Sequence, residues 1–242
     1  MDWRDEGIIL SLRKHGEFDA IIEVLTRGHG RHGGLVKGGM GRRQRGSLQP
    51  GNEVEVHWRG RLESHLGTYQ AELLQSRSAA LLHQPQKLAV LNAVTALLST
   101  CLPEREEHEP LLDGLIALLD VLEEGSGEVT DWGPLLVRWE LGLLGELGFG
   151  LDLSQCAATG DTEDLVYVSP KSGRAVSRAA GRPYHDKMLA LPPFLRGNGR
   201  EVTAEDVRDG LHLTEFFLER HMLSPHNRKI PQARHMLMDY IL

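Results

Sequence analysis

Residues 53–58 read EVEVHW, with Val54, Val56 and Trp58 alternating against Glu53, Glu55 and His57. A side-chain period of two belongs to a strand with one face toward a core and the other toward water. The same period recurs on both sides of this stretch: Ile8/Leu10/Leu12 and Ile22/Val24/Thr26 precede it, and Tyr69/Ala71/Leu73 follow. About five short strands in roughly 75 residues predict a small barrel, because a sheet of that size lowers its edge cost by closing on itself. Nine of the 27 glycines fall between Gly28 and Gly51, where they supply turns and bulges without a Cβ penalty.

Beyond Ser76 the period becomes helical. Leu88/Leu91/Thr95/Leu98, Leu111/Leu115/Leu118/Leu122 and Leu136/Trp139/Leu143/Leu147 each draw one apolar stripe, with acidic residues on the opposite faces. Val207/Leu211/Thr214/Leu218 and Ile230/Ala233/Leu237/Ile241 add two C-terminal helices. Between them, residues 150–200 keep neither period for long. A clear short strand at Leu165–Val168, a Ser-Pro-Lys-Ser-Gly turn and a second strand near Ala175 make this a compact, turn-rich insertion, held by packing of Leu153, Val166, Val168 and Val176. The predicted class is α+β: a barrel domain over 1–78, then a helical domain over 79–242 carrying the insertion at about 150–200.

The formal net charge of -7 hides an uneven distribution. Residues 1–80 hold 12 Lys/Arg against 10 Asp/Glu, residues 101–165 hold two against 16, and residues 166–242 hold 12 against eight. An anion-binding face is therefore compatible with an acidic chain. The two cysteines, Cys101 and Cys156, give neither a disulfide framework nor a complete thiolate zinc set. The start, MDWRDEGIIL, lacks a basic region followed by a long apolar core, and no apolar run reaches membrane-spanning length. A cytoplasmic protein, neither exported nor membrane-inserted, is expected.

Enzyme motifs find little support. GHGRHG (28–33) has the spacing of a dinucleotide-binding turn but runs on into strand-like GLV, where that chemistry needs a helix N-terminus; a hairpin turn suits it better. There is no phosphate-binding G-x-x-x-x-G-K-[ST] loop, H-E-x-x-H helix or G-x-S-x-G elbow. The 12 histidines repeat no metal spacing. Neither a catalytic site, a cofactor nor a metal is expected, and the chain does not read as an enzyme.

The basic stretch KGGMGRRQRGSLQPG (37–51) is the strongest functional signal. Lys37, Arg42, Arg43 and Arg45, with Arg31 before and Arg59 and Arg61 after, offer donors suited to phosphate oxygens. The same residues also suit a solvated loop that keeps a sheet edge soluble. Small barrels bind single strands through charged grooves with aromatic platforms. In the later strands Trp58 and Tyr69 are the aromatic candidates, and Trp58 reads better as core.

The order DEGIILSLRKHGEFDAIIEVLT, GLVKGGMGRRQRGSLQPG and GTYQAELL, followed by WELGLLGELGFGLDLSQCAATG, LVYVSPKSGRAVS and GRPYHDKMLALPPFL, resembles the RecO family of bacterial recombination mediators over nearly the whole chain. The resemblance implies an OB-fold barrel, a helical domain and an embedded zinc-ribbon-like region. It further implies binding of single- and double-stranded DNA, annealing of complementary strands, and work with RecR and the single-stranded-DNA-binding protein SSB to help load RecA, in a nucleoid-associated setting. Many family members carry two C-x-x-C pairs in the insertion. Here Cys156 keeps the first position, while Thr159, Ser177 and Ala180 stand at the others. The ribbon is degenerate, and no structural zinc is expected. The competing reading is an interaction adaptor, in which Lys171, Arg174, Arg178, Arg182 and Lys187 receive the acidic, apolar-ended C-terminal tail of SSB.

Overall fold

The computed structural model describes residues 1–62, 64–197 and 201–241, so the last three positions of the expected 150–200 insertion lie outside the described residues. The chain forms two compact units, residues 1–123 with 231–237, and 124–230 with 238–242.

In the first unit, five strands close into a barrel in the order β1-β2-β3-β5-β4. They are β1 (Asp2–His15), β2 (Asp19–Thr26), β3 (Gly30–Val36), β4 (Glu53–Arg59) and β5 (Thr68–Gln75). β1 is long enough to serve two neighbours: Asp2–Ile8 pair with β4, and Gly7–His15 pair with β2. β5 pairs antiparallel with β4 and meets β3 in parallel at Leu35–Thr68, which closes the ring. The GHGRHG stretch is the turn after β2 and the start of β3, with Thr26 opposite Gly30. This five-stranded barrel with helices after it is the OB-type α+β architecture expected from the sequence.

Alternating burial fills the barrel. Val54, Val56 and Trp58 are buried while Glu53, Glu55 and His57 are less so, and Ile9, Ile22, Val24, Val36, Leu48 and Tyr69 complete the cluster. Burying each such side chain contributes about 1.5–3 kcal/mol. Gly34 has a steric reason: a Cβ there would lie 2.1 Å from the Tyr69 ring. Two details of the alternation differ from expectation. Ile8, Ile9 and Leu10 are all buried, but only Ile9 belongs to the barrel cluster: the helix Pro85–Cys101 packs on β1, so this strand is covered outside the barrel as well, and a register shift between Ile9 and Ser11 breaks its period locally. Leu73, expected inside, is 40% exposed, near the end of β5, where it still pairs with Val54 just before the register shift to Glu53–Gln75.

Three helices follow: α1 (Arg77–Ala80), α2 (Pro85–Cys101) and α3 (Glu109–Glu124). Arg77, 2% exposed, donates to Asp120 at 2.7 Å and Glu123 at 3.0 Å on α3, and to Glu53 at 3.2 Å on β4. Burial opposes its charge, but the hydrogen bonds and charges of these carboxylates outweigh it and raise the guanidinium above its ordinary value.

The second unit contains α4 (Val129–Glu146), β6 (Leu165–Val168), β7 (Ala175–Ser177), α5 (Arg178–Gly181), β8 (Leu189–Ala190) and α6 (Ala204–Phe217). α7 (Gln232–Met238), which ends the helical series, belongs to the first unit up to Leu237. Thr203 and Asp206 cap α6 reciprocally, and the buried Thr214 hydroxyl donates to Glu140 of α4. Gly133 lets α4 approach α6, since a Cβ there would sit 2.5 Å from Val207. The insertion is a three-stranded sheet, β7-β6-β8, whose third strand the sequence did not announce. Val168 and Val176 are buried, whereas Leu153 and Val166 are only half-buried. Polar lacing adds to that packing: Arg196 donates to the carbonyls of Leu153, Ser154 and Thr162. No helix among the described residues is long and apolar enough to cross a membrane.

Replacing Arg77 with methionine leaves three carboxylates without their cation. Because those carboxylates keep partial access to water, the expected loss of stability in the first unit is about 3 kcal/mol, the lower end for breaking a buried pair. Hydrogen exchange of the β4 and β5 amides reads that loss; unchanged protection would show that the cluster does not hold the barrel.

Candidate nucleic-acid interface

The basic stretch is built from its two ends inward. At the start, Gly38 takes a left-handed φ of 66° and its N–H donates to Asp19 Oδ1 at 2.7 Å. The Met40 N–H donates to the Phe18 carbonyl at 2.9 Å. In the middle, the N–H groups of Gln44 and Arg45 both donate to the Gly41 carbonyl at 3.0 Å, and those of Ser47 and Leu48 to the Gln44 carbonyl at 3.0 and 3.1 Å. These bonds wind the segment into consecutive turns, where glycine content alone suggested an open loop. At the far end Leu48 is 2% exposed and belongs to the barrel core. Asn52, fully buried, donates to the Gly46 and Ser47 carbonyls and accepts the N–H and hydroxyl of Ser78.

This scaffold leaves Arg42, Arg43 and Arg45 exposed, and none has an ion-pair partner among the described residues. They do not form one cluster with the remaining cations. Arg42 and Arg45 line a groove of about 780 Å³ whose apolar lining includes Met40, Ala79, Leu82 and Leu88. Lys37 and Arg59 line a second groove of about 530 Å³ on the barrel, together with Gln44, His57, Thr68 and Gln70. The arginine segment thus adjoins both grooves, through Gln44 on one and Arg42 and Arg45 on the other. Arg59 is 62% exposed and 3.6 Å from Asp2; Arg61 is exposed beyond β4.

Arg31 stands apart from this set. Its guanidinium is 13% exposed, donates to Glu23 at 2.8 Å, and through Nε donates to the Leu102 carbonyl at 2.9 Å. It is spent inside the first unit. Trp58 and Tyr69 are also withdrawn, at 0% and 3% exposure. Trp58 donates through Nε1 to the Leu66 carbonyl at 2.9 Å, and both rings pack with Trp3 and His32. Burial pushes the His32 imidazole below its ordinary value and the Tyr69 phenol above its own. Neither later-strand aromatic presents a face to a ligand.

In the second unit, Arg174 lies 3.2 Å from Asp152 and Arg178 lies 3.2 Å from Asp164. Lys171, Arg182 and Lys187 are exposed. The cavity beside α5 is lined by Asp161, Glu163 and Asp164, so carboxylates already face part of this basic set.

Family models match both halves of the chain: "Recombination protein O N terminal" over residues 1–77 and "Recombination protein O C terminal" over residues 82–230. A protein named DNA repair protein RecO from Mesorhizobium japonicum is 52% identical over 235 residues, covering 97% of this chain and 91% of that relative. Proteins of the same name from Rhodospirillum centenum and a Ruegeria species are 50% and 51% identical, each over 99% of this chain and over 94% and 98% of their own lengths.

The residues at the zinc-ribbon positions do not fit zinc. Cys156 Sγ accepts the Ser177 N–H at 3.3 Å and lies 3.5 Å from the Ser177 hydroxyl. Burial pushes the thiol up, but hydrogen bonds from Ser177, Thr159 and the backbone of Ala158 outweigh it and bring it down to about 6. A thiolate is a metal ligand, but Thr159, Ser177 and Ala180 give it no companion donors for a tetrahedral zinc, and no group of three His, Cys, Asp or Glu suited to a metal occurs among the described residues. Metal analysis of the purified full chain is expected to find no stoichiometric zinc; one tightly held zinc per chain would overturn this.

Proposed function

The chain belongs to the RecO family of recombination proteins, and from that premise we propose that it acts in DNA repair by holding single- and double-stranded DNA on its barrel through phosphate contacts. The observation that carries this reading is the set of three exposed arginines, Arg42, Arg43 and Arg45, mounted on a hydrogen-bonded scaffold and left without ion-pair partners among the described residues. A guanidinium that has no carboxylate to release pays no exchange penalty when it meets a phosphate. Lys37, Arg59 and Arg61 extend the path along the barrel. Contacts of this kind position a strand without reading its bases.

Annealing follows from the same chemistry. Two complementary strands repel until bound cations reduce their charge, after which base pairing drives the step and no covalent bond changes. On this reading the protein is a mediator and not an enzyme, works in the cytoplasm at the nucleoid, and with RecR helps load RecA on SSB-coated DNA. The chain's overall negative charge is no obstacle, because screening confines each field to about 8–10 Å at physiological ionic strength.

A second reading concerns the SSB tail. The groove with apolar Met40, Leu82 and Leu88 and cationic Arg42 and Arg45 suits an acidic peptide ending in an apolar residue. Arg174 and Arg178, each already beside a carboxylate, suit it less. Charge reversal at Arg42 and Arg45 is expected to weaken binding of a tail peptide to the full chain by roughly tenfold or more, two attractive contacts being replaced by like-charge repulsion. Reversal at Arg174 and Arg178 is expected to leave it within about twofold. The opposite ranking, measured by fluorescence anisotropy, would return the tail to the second unit.

For DNA, the variant with Arg42, Arg43 and Arg45 all replaced by alanine is expected to bind an oligothymidylate roughly 10- to 100-fold more weakly at low salt, with its salt slope reduced by about two. The segment's backbone bonds survive those changes, so the fold is kept. An unchanged slope would contradict the assignment.

A further inference from the structure

With Trp58 and Tyr69 inside the barrel, a different aromatic is joined through its backbone to the segment that carries the arginines. Phe18 is 64% exposed at the tip of the β1–β2 hairpin, where Gly16, at φ 61°, begins the loop closed by the His15–Asp19 pair. One exposed phenylalanine on a surface is ordinary. The surroundings of this one are not. Its own carbonyl accepts the Met40 N–H at 2.9 Å, and the neighbouring Asp19 carboxylate accepts the Gly38 N–H at 2.7 Å. Two bonds thus fix the hairpin tip to the segment that carries Arg42, Arg43 and Arg45. Arg13 and Lys14 are exposed on the same hairpin. Glu17 is the opposing charge in the loop, while the Asp19 charge is turned to the Gly38 amide.

We propose that Phe18 stacks an unpaired base of the strand whose phosphates the neighbouring arginines hold, so that the hairpin tip biases the surface toward single-stranded nucleic acid. The inference rests on the phosphate-holding reading above and deepens it. Phosphate contacts by themselves favour the denser charge of a duplex. A duplex buries its base faces in its own stack, whereas a single strand can turn a base onto an exposed ring. A face available next to fixed cations therefore supplies what the arginines lack: a reason to prefer an unpaired strand.

Three probes of equal length, binding to the full chain by fluorescence anisotropy, separate the two ideas: an oligothymidylate, the same backbone with every base removed, and a duplex. The native chain is expected to prefer the oligothymidylate over the abasic strand by roughly tenfold, the size of one base–aromatic stack. Phe18→Ala is expected to bring that preference within about twofold while leaving affinity for the abasic strand and the duplex unchanged, and Phe18→Trp to restore it. A preference that survives Phe18→Ala overturns the inference, and so does equal weakening for all three probes, which would mark Phe18 as a support of the hairpin or a contact for protein partners. Absence of salt-dependent binding to every probe would instead overturn the phosphate reading beneath it.

Discussion

The proposed nucleic-acid contact depends on how a cationic, glycine-rich segment is prevented from being a loose loop. Leu48 sits in the barrel core and Asn52 is fully buried, its side chain holding the Gly46 and Ser47 carbonyls and receiving Ser78. At the other end Asp19 and the Phe18 carbonyl hold Gly38 and Met40. Ordering a free loop on binding would cost on the order of 1–2 kcal/mol per residue. Here that cost is met by folding, and the arginines wait in place. Buried polar anchors of this kind are demanding, since an unpaired Asn52 would cost about 1–3 kcal/mol, which is why each of its side-chain groups is matched.

The same barrel decides which charges are available. Like-signed residues are separated by their partners as much as by their positions: Arg31 is paired with Glu23, Arg77 with Asp120, Glu123 and Glu53, and Arg27 with Glu109 and Asp113. The acidic helix α3 thereby takes up two of the first unit's arginines. Four cations without an ion pair among the described residues, Lys37, Arg42, Arg43 and Arg45, fall within one short segment, while Arg13 and Lys14 stand exposed on the hairpin fixed to it. A net charge of -7 and a cationic surface coexist because pairing consumes some cations and spares others.

The strands and the long helices were legible because their side-chain periods are local: Val54, Val56 and Trp58 alternate within six residues, and Leu111, Leu115, Leu118 and Leu122 all fall on the buried face of α3. What was illegible depends on contacts far apart along the chain. Nothing near Arg31 announces that its Nε meets Leu102, 71 positions away, nor that Arg77 reaches Asp120. The bulge at Ile9–Ser11 and the short β8 carry no periodic signal of their own. For the site, composition singled out Arg42, Arg43 and Arg45, which the structure leaves exposed, but it could not tell that Arg31 is drawn inside, nor separate the residues facing one groove from those facing another. It also overlooked Phe18, whose signal is an aromatic in a turn begun by glycine and preceded by Arg13, Lys14 and His15.

The central claim is that nucleic acid lies on the barrel, against a preformed cationic segment, and not on the basic residues of the second unit. A crystal structure of the full chain with a short oligothymidylate tests it most directly. The account predicts backbone phosphates within hydrogen-bonding distance of at least two of Arg42, Arg43 and Arg45, with the segment's turns unaltered. An oligonucleotide found wholly on residues 124–230, with those three guanidinium groups still in solvent, would contradict it.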